Sequence, residues 1–299
     1  MPISEETVEK VTYNLVRRAT TKIPDDIKKL LIVAADSKEN TKPAKVQLSA
    51  ILKGLQLAES NLIPICQDTG IILVYVGIGS NAKIIGNLRK AVKKAVKKAT
   101  VDIPLRRTVV NPFTRKNRNN NPFIKYHFLY NNKSYLDLTI FARGCGAEYV
   151  TEIKMMDPLN FTNNLKKFVM SMVMDKAMWS CPPVIIGIGI GGTCEIAIEL
   201  SKRAMLRPIS ERHPDKNIAK LESELIEYIN LLQIGPMGLG GFPTCLNVAI
   251  EYVSSPIARV PVCVSFGCWA HRIASARIYS DDKIQYYTYL STFYRDVYE

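Results

Sequence analysis

Cys181-Pro-Pro-Val-Ile-Ile-Gly-Ile-Gly-Ile-Gly-Gly-Thr193 runs from a thiol through an uncharged apolar stretch into a Gly-Gly-Thr step. Val184 to Ile190 reads as a buried strand. Gly191-Gly-Thr193 ends it and opens a helix expected from Cys194 to Leu206. Backbone N–H groups at that step could face an anion or a cluster sulfide. No nucleotide fingerprint is present, because Gly187-Ile-Gly-Ile-Gly191 lacks the G-x-G-x-x-G register and no G-x-x-x-x-G-K-[ST] occurs.

Upstream of this strand, the first 60 residues read as helices. Ser4-Glu-Glu-Thr is a cap for the first, Pro24-Asp-Asp opens a second through Ala34, and Lys42 to Glu59 carries a third. Ile71-Ile-Leu-Val-Tyr-Val76 is expected as a strand. Lys125–Tyr130 and Tyr135–Phe141 are expected as a hairpin closed by Asn131-Asn-Lys-Ser. Helices are expected from Asn160 to Met178 and from Asp215 to Leu232, and strands near Leu246–Val253 and Val260–Phe266. This uneven alternation predicts an α/β (mixed α+β) class, helix-rich at the N-terminus, without a simple doubly wound order. No linker or repeat divides residues 1–299, which read as a single domain, at most two-lobed.

The composition, 47% hydrophobic and 22% charged over 299 residues, is that of a globular protein. No apolar run approaches the roughly 20 residues of a membrane span. No secretory signal is visible after Met1, so a cytoplasmic location is expected. The net charge of +13 is concentrated in Arg89–Lys98 and Thr114–Arg118. The first of these is an amphipathic helix with a lysine-rich face. Without interleaved aromatics, it reads as a solvated helix rather than a nucleic-acid surface.

Seven cysteines and three histidines carry the candidate chemistry. No C-x-x-C pair occurs, so reduced thiols are expected. Cys66, Cys181 and Cys268 each lie at a strand edge beside Gly or Pro, where a soft thiolate trio suits an iron–sulfur cluster or zinc. Cys194, Cys245 and Cys263 read as small buried hydrophobes. Asp68 follows Gln67 and Cys66 and could orient substrate, move a proton or cap the turn at Gly70. Arg106 and Arg107 could clamp a carboxylate. His271 is open to a fourth-ligand or acid–base role, while His127 and His213 read as structural.

The ordered strings P-I-C-Q-D-T-G, P-L-R, N-P-F-T-R-K-N, S-C-P-P-V-I-I-G-I-G-I-G-G-T, L-R-P-I-S-E-R-H-P, I-G-P-M-G-L-G-G and G-C-W-A-H-R span roughly residues 5 to 275. Together they resemble the iron–sulfur hydro-lyases: class I fumarate hydratase and the alpha subunit of L(+)-tartrate dehydratase. The resemblance implies short mixed sheets around a [4Fe-4S] cluster held by Cys66, Cys181 and Cys268, with one iron open to a 2-hydroxy dicarboxylate. It further implies substrate contacts from Gln67, Asp68, Arg106 and Gly146. The expected reaction is reversible hydration of fumarate to malate, with tartrate dehydration or a non-catalytic iron–sulfur role as alternatives. A beta subunit, absent from this chain, would supply further groups in a homo- or hetero-oligomer. Two positions depart from the pattern: Gly144-Cys-Gly-Ala-Glu-Tyr149 replaces G-[AG]-G-S-E-N, and Pro256 stands where a histidine is usual. Gly267 before Cys268 is as in tartrate dehydratases, whereas Asn111–Asn117 leans towards fumarases.

Overall fold

The computed structural model describes residues 2–117, 123–281 and 283–294. Arg118 and the rest of the Asn/Pro-rich loop to Pro122 lie outside them. The helices are α1 (Glu5–Thr21), α2 (Asp25–Asp36), α3 (Lys42–Asn61), α4 (Leu88–Asp102), α5 (Cys145–Tyr149), α6 (Phe161–Lys176), α7 (Cys194–Ala204) and α8 (Lys216–Leu231). The strands are β1 (Ile71–Gly79), β2 (Ile124–Asn131), β3 (Tyr135–Arg143), β4 (Glu152–Met156), β5 (Val184–Ile190), β6 (Cys245–Tyr252), β7 (Val260–Gly267), β8 (Arg272–Tyr279) and β9 (Ile284–Tyr287). The mixed α/β expectation holds.

Two mixed sheets form, ordered β2-β1-β3-β8-β9 and β4-β7-β5-β6. Each buries alternate residues on its two faces. On the first sheet, Ile72, Val74, Val76, Leu138 and Ile140 pack against Val8, Leu15 and Val16 of α1 and Val92 and Val96 of α4. Its other face gives Leu73, Tyr75 and Phe141 to a shared core with α2, α3 and Ile185 of the second sheet. The second sheet turns Ile186, Ile188, Val248, Ile250 and Val264 towards α6 and α8.

The decisive glycines serve packing. Ile186, Ile188 and Ile190 share one face of β5. Gly187 and Gly189 share the other, directly under α7. A Cβ on Gly187 would lie 1.9 Å from the Ser201 carbonyl oxygen, and one on Gly189 would lie 2.0 Å from that of Ala197. Only hydrogen at these two positions lets the helix backbone settle on the strand. On the far side, α7 meets the first sheet through Glu199, 3.6 Å from His127 Nδ1 on β2, and the turn after β9 through Arg203, which donates to the Phe293 carbonyl. One helix is thus sandwiched between two sheets.

The expected hairpin is not formed. β2 pairs parallel with β1, and β3 pairs antiparallel with the other edge of β1, so β1 lies between them. The physical reason is burial. β1 is apolar throughout and takes an interior position, whereas β2 is only partly buried and stays at the edge. The short connection crosses the end of β1, where a Cβ on Gly79 would meet the Lys133 carbonyl oxygen at 2.3 Å.

The lysine face of α4 lies beside α1, with Lys90 and Lys94 at 3.6 and 3.4 Å from Glu5 and Glu9. Exposed pairs of this kind contribute little energy, but they dilute the positive field. Among the described residues, no helix is long and apolar enough to cross a membrane.

Candidate active site

Five strand ends meet at one place, and pairing register puts them there. Cys66–Gly70 leads into β1, whose Ile71 is opposite Arg143 at the end of β3. Ala142 is opposite Arg272, the first residue of β8. Gly267 ends β7 opposite Ile185 near the start of β5, and Cys181 lies just before that strand. Loops bearing Cys66, Cys181 and Cys268, and the turn Gly144-Cys145-Gly146, therefore share the end where the two sheets adjoin.

The three thiols are brought within electrostatic reach of one another. Burial pushes the Cys268 thiol up to about 11, Arg272 opposes the rise, and Cys66 and Cys181 add to it. Cys181 is also raised, by burial and then by Cys66 and Asp68. Cys181 is a non-glycine residue with φ 53° and ψ 74°, in the left-handed region. Holding it there costs on the order of 1–2 kcal/mol. A Cβ on neighbouring Gly146 would press on the Trp179 carbonyl oxygen at 2.8 Å, so Gly146 allows this turn to come close.

Asp68 occupies the middle of the junction. Its Oδ2 accepts from the Cys145 backbone N–H at 2.6 Å, and its carbonyl accepts from Arg272 Nη1 at 2.6 Å. Its Oδ1 is buried with no hydrogen-bond partner. Next to it, the Thr69 hydroxyl donates to the Arg106 carbonyl at 2.7 Å, fastening the Arg106 segment alongside. The side chains of Gln67, Arg106 and Arg107 are exposed. Gly70, at φ 65°, runs so close to β3 that a Cβ would lie 1.6 Å from the Arg143 carbonyl oxygen.

These residues fit a sulfur-ligated cluster. Around the thiols, Asp68 Oδ1, Ser180 Oγ and Arg272 Nε are buried without partners, an arrangement polar groups adopt when something else completes them. Among the described residues, no three His, Cys, Asp or Glu side chains converge on one metal-ion position. Thiolates sharing a single zinc each lie about 2.3 Å from it. Thiolates on different irons of a cluster need no common centre that tight.

Cys145, Arg143 and Arg272 join the site without having been assigned a role from sequence. Arg143 is buried and bonds Glu148 at 3.0 Å and the Phe266 carbonyl at 3.0 Å. The available signal was local: Arg272 closes the G-C-W-A-H-R string, and Cys145 interrupts two glycines.

His271 lines the same small cleft as Cys268 and Arg272. It is buried against Phe141 and held neutral, its pKa depressed to about 3 by burial and by Arg143. An acid–base role near neutral pH does not suit it. His127 stacks on Tyr75 at 4.6 Å, and His213 Nδ1 accepts from Asp215 N, both structural. Cys245 and Cys263 are buried as expected, but Cys194 is exposed. It occupies the first position of α7, outside the core beneath that helix. The anion reading of Gly191-Gly-Thr193 also fails. The amides of Gly191 and Gly192 donate to Pro261 and Ser254, at the opposite end of β5 from Cys181.

The family model described as Fumarate hydratase (Fumerase) matches residues 9–277. The chain belongs to the fumarate hydratase (Fumerase) family. A Methanocaldococcus jannaschii protein, named provisionally as L(+)-tartrate dehydratase subunit alpha, is 40% identical over 284 residues, covering 93% of this chain and 99% of that protein. The L(+)-tartrate dehydratase subunit alpha of Escherichia coli K12 is 33% identical over 285 residues, 93% of each chain. That of Escherichia coli O157:H7 is 32% identical over the same length. The Fumerase match begins within α1 and ends within β8, so it takes in the whole second sheet and leaves out β9 of the first.

Proposed function

We propose that this chain is the alpha subunit of a hydro-lyase that adds water to, or removes it from, a four-carbon dicarboxylate, with hydration of fumarate to malate as the first reading. The observation that carries the proposal is that the loops bearing Cys66, Cys181 and Cys268 share one sheet junction, within electrostatic reach of one another and beside an Asp68 carboxylate with one unpartnered oxygen.

Cys66, Cys181 and Cys268 would hold a [4Fe-4S] cluster, which when bound supplies an open iron as Lewis acid for a substrate hydroxyl. Asp68 holds its carboxylate ready by giving Oδ2 to the Cys145 amide and keeping Oδ1 for a substrate hydroxyl or its proton. The exposed guanidinium of Arg106, anchored by its carbonyl to Thr69, suits bidentate binding of one substrate carboxylate. Gln67 offers an amide at the same mouth. Gly146 lets its turn pack against the Trp179 carbonyl, close to Cys181 and the mouth where substrate would bind. A beta subunit would cover this face and bring the second carboxylate clamp and the base for C3, in a cytoplasmic hetero-oligomer.

Tartrate dehydration is the second reading. It is favoured by the names of the relatives at 40% and 33% identity and by Gly267 before Cys268. The test is co-expression with a beta-type partner, anaerobic reconstitution, and parallel assays of malate, fumarate and tartrate. Turnover of fumarate and malate is expected. Turnover of tartrate alone selects the second reading, and no turnover of any of the three by the iron-loaded complex refutes both.

A further inference from the structure

Arg272 opens β8 with its side chain nearly withdrawn from solvent, 2% exposed. Its Nη1 donates to the Asp68 carbonyl and not to the nearby carboxylate, and its Nε has no hydrogen-bond partner. Among the described residues, no carboxylate pairs with it. Its neighbour Arg143 is different, because Glu148 neutralises that guanidinium. A buried cation without an ion-pair partner carries a large desolvation penalty. Beside Arg272 the groups able to carry negative charge are the Asp68 carboxylate, whose Oδ2 is already held by the Cys145 amide, and thiols. Cys268 lines the same small cleft as Arg272 and Gly144, and Arg272's charge also acts on Cys145. The guanidinium is wedged in place: Arg272 Nη2 and Asp68 Oδ2 lie 3.3 and 3.0 Å from the point a Cβ of Gly144 would occupy.

We infer that Arg272 is a positioning residue and the built-in counter-charge of the thiolate site. Through the Asp68 carbonyl it keeps the Cys66 loop in register with the Cys268 loop. Its charge, shared with the Asp68 carboxylate across Gly144, faces the anionic group that the three cysteines would hold. The inference rests on the sulfur-ligated centre proposed above. It adds that, without that centre, the buried guanidinium of Arg272 keeps an unpartnered Nε and forms no ion pair among the described residues.

Two variants separate charge from tether. Arg272→Gln keeps a donor for the Asp68 carbonyl and removes the charge, while Arg272→Lys keeps the charge and loses the fork. Without iron, Arg272→Gln is expected to melt at or above the wild-type temperature. After anaerobic reconstitution it should hold iron about tenfold less tightly in competition with a chelator, the scale of a lost supporting contact at a metal site. Arg272→Lys should retain more iron than Arg272→Gln. Wild-type-like iron retention by Arg272→Gln, a metal-free form that melts lower or fails to fold, or Arg272→Lys no better than Arg272→Gln would each overturn the inference. A wild-type chain that takes up no iron would overturn the centre itself, and this role with it.

Discussion

Replacing Gly70 with alanine tests whether the loop before β1 is built for contact with β3. The added Cβ would start 1.6 Å from the Arg143 carbonyl oxygen and 2.9 Å from the Gly144 Cα. Non-bonded heavy atoms settle at roughly 3.5 Å, so the two backbones must part by well over an ångström. Gly70 also has φ 65°, which costs an L-residue about 1–2 kcal/mol. Overpacking adds about 1–3 kcal/mol, so the expected loss is on the order of 2–5 kcal/mol. With about 2.1 cal/mol/K of unfolding entropy per residue over 299 residues, that lowers the melting temperature by about 3–8 °C. The displaced loop carries Cys66 and Asp68, so iron retention should fall with it. Calorimetry and iron content per chain measure both. A Gly70→Ala protein that melts and loads like wild type would refute the close contact and the coupling drawn from it.

Cys181→Ser should abolish iron retention after anaerobic reconstitution while far-UV circular dichroism stays unchanged; unaltered iron stoichiometry would remove Cys181 from the ligand set. Gly187→Ala should lower stability by several kcal/mol in urea titration, because its Cβ would enter the α7 backbone 1.9 Å from the Ser201 carbonyl oxygen. Asp137 is fully buried and accepts from Arg277 Nε and Nη2 at 2.8 Å and from Thr292 at 2.6 Å, so Asp137→Asn should cost about 3–5 kcal/mol by stranding the guanidinium. Burial raises the Glu251 carboxyl to about 7 against an ordinary 4.5, so the native state binds the proton more tightly than the unfolded chain. Stability from this group is present below pH 4.5 and lost as pH rises towards 7. Glu251→Gln should therefore flatten the fall in urea stability across that window, and an unchanged slope would discount the group.

Element identities were largely legible from the pattern of apolar residues, because most long helices and the interior strands bury continuous faces. What escaped was pairing. Nothing in Asn131-Asn-Lys-Ser reveals that β1 has already taken the place beside β2, since strand order is decided by burial competition between distant segments. β4, β8 and β9 were missed for compositional reasons: Glu-Ile-Lys-Met-Met is mostly exposed, and Arg-Ile-Ala-Ser-Ala-Arg dilutes its apolar face with small and charged residues. In the site, cysteines flanked by Gly or Pro stood out chemically. Arg272 did not, because its importance lies in where its side chain is buried and what fails to neutralise it.

β3 and β8 are antiparallel neighbours in the first sheet, yet the whole second sheet is threaded between them. The chain leaves at Gly144-Cys145 and returns at Cys268–Arg272, so departure and re-entry face each other across one seam. Chemistry located there belongs to neither sheet. A ligand gripped at the seam would act as a clasp on the excursion, and its loss should be felt first as loosened docking between two layers that each keep their own hydrogen bonds.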